Sequence, residues 1–228
     1  MVSSNSEVEE DIVVKTADAS LVGQVLDPDG NAGKGAAFQA WCDRAGGGWT
    51  LVIKVDGNKP DGGYASPLWS DTTPTAGASP APDGASARLP GYASLPLTQV
   101  RVTLVSGGIA RSLVLGAKAA NLRALLTGAA VKTTASVLAW ESLLPKGSLQ
   151  AHCLAQGFQV AAPNGVKARI GILGNNEKDC ASVDSWLGVG ATATICGAKD
   201  TPTAGNLACW NPDWGDAKTP ALAWLFVR

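Results

Sequence analysis

The sequence predicts one loop-rich, β-leaning domain with a few short helices, and three observations carry that expectation. Charged residues make up only 16% of the 228-residue chain while glycine (27) and proline (13) are plentiful, a balance that favours strands and turns over a helical bundle. Several short runs, such as WTLVIKV at Trp49–Val55, are apolar over lengths suited to strands. The stretch Gly174–Lys218 is long and almost without periodicity, the kind of loop that usually carries function.

The elements follow in order. Residues 1–20, polar and acidic at SEVEED, read as a flexible arm, and 21–228 as the globular domain. DPDG at Asp27–Gly30 is a turn, because Pro sets φ and Gly accepts a left-handed backbone. Ala37–Cys42 leads into a glycine turn and then into the strand Trp49–Val55. Residues 56–96 are rich in Gly, Pro, Ala, Ser and Asp; with Trp69 and Tyr92 at the flanks they read as an irregular packed excursion, not a linker. Val100–Val105 and Arg111–Leu115 form a hairpin around Ser-Gly-Gly. Helices are expected over Ala117–Gly128 and Ser136–Gly147, each stopped by glycine. Lys167–Leu173 is a strand, and Ala221–Val227 closes the chain as a strand buried on both faces.

Composition and motifs exclude several functions. Lys+Arg (18) balances Asp+Glu (19), so there is no footprint for nucleic acid or an anionic membrane. No apolar run reaches the roughly 20 residues of a membrane span. The N-terminus has neither the basic start nor the apolar middle of a secretory signal, so an extracellular destination implies a removed signal or another route. Catalytic signatures are missing: there is no Gly-x-Ser-x-Gly, no His-Glu-x-x-His, and His152 is the single histidine. DGNAGKG lacks the glycine and Ser/Thr of a phosphate loop. The expectation is a protein that is not an enzyme.

Five cysteines, Cys42, Cys153, Cys180, Cys196 and Cys209, leave at least one thiol unpaired within the chain. Their clustering beside Gly-rich loops favours disulfides in an oxidising compartment over buried reduced thiols, and Cys180–Cys196 is the first pairing expected because it brackets the acidic loop.

That loop is GNNEKDCASVDSW, Gly174–Trp186. Asn175, Asn176, Glu177, Asp179 and Asp184 gather five oxygen-bearing side chains, the donors a hard cation such as Ca²⁺ requires. The spacing is not that of an EF-hand, and a solvated turn is the competing reading. Ser185 and Trp186 end this stretch, and CWNPDWGD at Cys209–Asp216 adds Trp210, Asp213 and Trp214. A flat indole packs against the C–H face of a sugar while carboxylates or a metal take its hydroxyls, so these five are candidate ligand contacts. The alternative is that the indoles cover the core, as Trp49 and Trp224 on strands are expected to do.

The stretch WCDRAGGGWTLV, Trp41–Val52, resembles the signature that opens fibrinogen C-terminal-like domains, with Cys42, Asp43, Gly46–Gly48 and Trp49–Val52 in place. The closing TPALAWLFVR is similar to the last strand of the intelectin branch, the X-type lectins, and RIGILGNNEKDC resembles the segment intelectins carry into their calcium and sugar site. The resemblance brackets about residues 22–228, with the middle third matched only by order of elements. It implies an α+β fold with a mixed sheet, short helices and long C-terminal loops that hold calcium, and a lectin of bacterial or phage type. Carried over by position, Asn175, Asn176 and Glu177 become calcium ligands and Trp210 or Trp214 the aromatic wall. Two features depart from the family pattern: residues 1–41 hold no upstream cysteine for Cys42, and Val183–Gly190 holds no histidine. The expected function is Ca²⁺-dependent recognition of microbial or cell-surface glycans by an extracellular module, as a homo-oligomer where avidity requires it. The alternative is a structural or assembly subunit of a surface appendage or virion, for example an adhesin or fibre component.

Overall fold

The structure, a computed structural model, describes residues 23–26, 37–197 and 201–228; the acidic arm and the DPDG turn lie outside them. Along the chain come strands β1 (Gly23–Leu26), β2 (Phe38–Asp43) and β3 (Trp49–Asp56), helix α1 (Pro67–Ser70), strands β4 (Ala87–Arg88), β5 (Leu97–Ser106) and β6 (Ile109–Ala119), and helix α2 (Leu122–Thr127). Then follow β7 (Val131–Lys132), α3 (Val137–Glu141), β8 (His152–Ala161), β9 (Lys167–Asn175), β10 (Ser185–Val189), β11 (Ala204–Ala208), β12 (Ala217–Pro220) and β13 (Leu222–Val227). They build two antiparallel sheets, one ordered β1-β2-β3-β13-β5-β6 with β4 on β3, the other β12-β11-β10-β9-β8-β7. The closing strand β13 sits between β3 and β5, which is why its sequence is apolar almost throughout.

This corrects the α+β expectation. With 42% strand against 12% helix in two sheets, the chain is a mostly antiparallel β protein, not a mixed α+β fibrinogen-like domain. Two causes are visible. The helix expected from Ala117 starts only at Leu122, because Ala117–Ala119 belong to β6 and the Asn121 side chain caps the helix by accepting from the Ala124 N–H at 2.8 Å. And Gly174–Lys218, expected as loop, carries β10 and β11 and the start of β12.

The second sheet escaped notice because its alternation is broken by glycine. Gly157, Gly171, Gly188 and Gly205 pair in register across β8, β9, β10 and β11, a row of four glycines running through the sheet. The row is a close approach of backbones: a Cβ on Gly188 would stand 2.1 Å from the Ile170 carbonyl oxygen, and Gly188 also has φ +153. Ala168 and Ile170, two apart on β9, serve different cores, as do Phe158 and Val160 on β8, between which Gln159 holds φ +58.

The main core lies between the sheets, where Val52, Val102 and Leu225 meet Ile170, Leu187 and the helical Trp69 and Trp140. Each sheet's other face is covered by irregular chain. On the second sheet Ala191, Ala193 and Ile195 pack with Leu173, Trp186 and Leu207. On the first, the low-complexity excursion brings Ala78, Ala87 and Leu89 against Trp49, Leu51 and Phe226. Lys54, fully buried on β3, fastens that excursion by donating to the carbonyls of Ser79 and Ala81 at 2.9 and 3.1 Å and pairing with Asp83 at 2.7 Å. Burial alone pushes the Asp83 carboxyl up, but the Lys54 hydrogen bond brings it below the ordinary aspartate value.

The glycine turn after β2 is scaffold of the same kind. Asp43 accepts from the Gly46 N–H at 2.6 Å and from Arg101 at 2.8 Å, while the Arg101 guanidinium lies over Phe226 and Trp49 at 4.2 and 5.1 Å. A Cβ on Gly46 would fall 2.1 Å from the Asp43 carboxylate, so a larger residue there must displace that carboxylate from its hydrogen bonds.

Gly188→Ala is expected to destabilise the protein by about 3 kcal/mol or more, because the obstruction is backbone. Gly116→Ala, where a Cβ meets nothing within 4 Å, should stay within about 0.5 kcal/mol of the parent. Urea unfolding of the two variants checks this; equal midpoints would refute the close-approach account.

Candidate functional site

Two loops meet at one end of the second sheet. The β9–β10 connection carries the acidic run after Asn175, and the β11–β12 connection carries Cys209–Asp216. They are tied by the Cys209 N–H donating to the Asp184 carbonyl at 3.1 Å. Gln150, fully buried, reaches both: its Nε2 donates to the Cys209 carbonyl at 2.8 Å and to Asn176 Oδ1 at 3.2 Å.

The second loop is braced from inside by Asn211. Its Nδ2 donates to Ser148 Oγ at 2.9 Å and to the Leu149 carbonyl at 3.2 Å, and its Oδ1 accepts from the N–H groups of Asp213 and Trp214 at 3.0 and 3.3 Å. Ser148 Oγ in turn donates to the Gly215 carbonyl at 2.7 Å. Anchored this way, the loop leaves two indoles in solvent, Trp210 at 65% and Trp214 at 68% exposure. Trp210 also holds φ +53, a left-handed conformation that a bulky residue adopts only where its surroundings enforce it.

The enforcement comes partly from disulfides. Cys196 bonds Cys209, directly before Trp210, and Cys153 bonds Cys180 in the acidic loop. This corrects the expected Cys180–Cys196 pairing. His152 pairs with Asn175 across β8 and β9, which sets Cys153 beside the loop that follows Asn175. Cys196 ends the segment that packs over the second sheet and so arrives at Cys209. Cys42 is the unpaired thiol, 3.8 Å from Thr50 Oγ1. The two bridges suggest an oxidising or extracellular environment, and among the described residues no helix is long and apolar enough to cross a membrane.

The acidic loop organises itself. Asn175 is buried, with Nδ2 donating to the Asp179 carbonyl at 2.7 Å and Oδ1 accepting from the Asn176 N–H. Asn176 Nδ2 donates to Glu177 at 2.9 Å. Asp179 accepts from Ser182 Oγ and the Ala181 N–H, and these bonds, the serine's above all, hold its carboxyl below the ordinary aspartate value. Asp184 moves the other way: partial burial, and then the Glu177 charge, push it up. The other two candidates lie beneath the surface. Ser185 is buried, donating to the Gly174 carbonyl and accepting from the Gln150 N–H, and Trp186 packs wholly inside the second core.

The oxygen-only donor set suits a hard cation in its chemistry. Among the described residues no three His, Cys, Asp or Glu side chains converge, so such an ion would rest on Glu177 and Asp184 with neutral oxygens such as Asn176 Oδ1. Buried Gln150 and Asn211, which hold the two loops in place, were missed in the sequence: Gln150 sits in no motif, and Asn211 lies within CWNPDWGD but nothing local there marks it as buried. In comparisons with known proteins, no family model and no curated protein matches the chain.

A carboxyl raised in the folded state binds its proton more tightly there, so its contribution falls as pH rises through the acid range. Asp184→Asn in chelator-treated protein should therefore melt higher than the parent at neutral pH. The difference should vanish once pH drops below the ordinary aspartate range; calorimetric melts across pH check both the sign and the window.

Proposed function

We propose that the protein is a carbohydrate-binding, lectin-like module that recognises microbial or cell-surface glycans outside the cell, on a secreted, cell-surface or virion-surface protein. The observation that carries this reading is the pair of exposed indoles, Trp210 and Trp214, on a turn fixed by the Cys196–Cys209 bridge and by Asn211. Aromatic faces held rigid lose little entropy when a sugar ring stacks on them, which is the use to which exposed, braced tryptophans are suited.

Calcium is the proposed cofactor, with Glu177 and Asp184 as its carboxylates and Asn175, Asn176 and Asp179 shaping the loop around it. Bound there, the ion would supply a positive centre for sugar hydroxyls. Partial burial raises the Asp184 carboxyl and the nearby Glu177 charge adds to that rise; the second, smaller cause is the supporting observation, since a cation relieves like-charge repulsion.

Trp214→Ala should weaken glycan binding by about tenfold or more while leaving the melting temperature near the parent's, because the side chain is largely exposed. Glycan arrays followed by calorimetry check this, and silence of the parent on every glycan would sink the reading. Calcium titration of chelator-stripped protein, with a parallel melt, addresses the metal: saturable heat and a raised melting temperature are expected, and both should be lost in Glu177→Ala.

A second reading, an assembly subunit, is favoured by β6. It is the terminal strand of the first sheet and exposes Ile109 and Val114, as an edge open to another chain does. Concentration-dependent oligomers on size-exclusion chromatography without any glycan signal would move that reading to the front.

A further inference from the structure

We infer that the site selects glycans bearing free amino groups, with the protonated amine seated by the indoles and the acidic loops; the inference rests on the glycan-binding reading. The first support is a segregation of charge. The whole chain is nearly neutral, with a formal net charge of −1. Yet 175–184 and 209–216 carry Glu177, Asp179, Asp184, Asp213 and Asp216 against the single cation Lys178. The hydrogen bonds through Gln150 and Cys209 hold these two segments together, so their charges gather at one end of the second sheet.

The second support is the indole pair itself. A π face beside carboxylates is the arrangement that attracts an ammonium, through the ring quadrupole and the surrounding charge together. Asp213 lies between Trp210 and Trp214 in the same braced turn, so anion and aromatic surface are presented by one rigid unit. Anionic sugars meet the opposite field. A bound calcium ion, with two charges, leaves the loops negative and does not reverse the preference.

The third support is an unused acceptor. Gln150 Oε1 is buried and has no hydrogen-bond partner among the described residues. It belongs to the carboxamide whose Nε2 joins the two loops, so a hydrogen-bond acceptor stands without a donor where they meet. Sealed beneath the loops, that acceptor is met only by a ligand whose N–H or O–H group reaches between them, and an ammonium brings three donors.

The test compares three hexasaccharides by calorimetry on the full chain at about pH 5.5, below the range in which such amines lose their proton. They are the β-1,4-glucosamine hexamer, its fully N-acetylated counterpart and hexagalacturonate. The amine-bearing hexamer should bind about tenfold more tightly than the neutral one, and hexagalacturonate should be the weakest. In Asp213→Asn the ratio of the two affinities should fall to about twofold, whereas a merely structural role of Asp213 would weaken both hexamers alike and leave the ratio at about tenfold. Trp214→Ala should lose both ligands. Equal affinity for the amine and its N-acetyl form, or preference for hexagalacturonate, would overturn the selectivity and leave glycan binding standing. A neutral glycan bound on the array while the amine is ignored has the same consequence. No signal from any glycan would instead remove the reading on which the inference rests.

Discussion

The row of glycines through β8, β9, β10 and β11 is the constraint from which the architecture of the functional end follows. Backbones that approach so closely cannot carry Cβ atoms there, and the strands around the row do not keep a strict inside–outside alternation. Apolar side chains therefore emerge on both faces of the second sheet. One face is covered by the first sheet and the helices; the other requires a cover of its own, and Ala191–Ile195 supply it. Because that segment packs down along the sheet, Cys196 arrives at Cys209, and their bridge fixes the start of the loop that displays Trp210. Packing beneath the sheet and the display of Trp210 at its end are in this way linked.

The first sheet meets the same requirement with different chemistry. Its outer face, with Trp49, Leu51 and Phe226, is covered by a stretch so poor in large apolar residues that hydrophobic burial alone would hold it weakly. Lys54 compensates. A fully buried ammonium is tolerable only when its hydrogen bonds are met, and the two carbonyls and the Asp83 carboxylate meet them. The Trp224 indole N–H adds a bond to the Asp83 carbonyl at 3.1 Å. Arg101 plays the matching part at the glycine turn, satisfying Asp43 while its planar face covers Phe226.

What was legible in the sequence follows from this division. β3, the β5–β6 hairpin, β9 and β13 stand where their apolar runs place them, because those strands are pinned by continuous burial or by the Gly107–Gly108 turn. The packed character of the excursion could be read from Trp69 and Tyr92, which are both fully buried, with the Tyr92 hydroxyl donating to the Trp69 carbonyl at 2.7 Å. β8, β10 and β11 were not legible: short, glycine-interrupted and serving two cores, they offer no period. The acidic loop was recognisable by residue type, but its wiring was not. Gln150 and Asn211 act over separations of 26 to 63 residues, which no local pattern encodes.

The treatment of tryptophan bears most directly on function. The fold buries indoles readily: Trp49, Trp69, Trp140 and Trp186 are all essentially inaccessible, and Trp41 and Trp224 are partly covered. A chain with that capacity has no packing reason to leave Trp210 and Trp214 in water, where each forgoes the stabilisation that burial of a large aromatic provides. The loop could have turned inward. Instead its buried side chains are the bridged Cys209 and Asn211, a polar residue whose hydrogen bonds orient the turn and leave the indoles outside. Trp210 is further held in a backbone conformation that glycine or asparagine would adopt more easily. Exposure runs against stability at both indoles, and at Trp210 an unfavourable φ adds to it, which is the condition that the proposed contact with a ligand, and not packing, would account for.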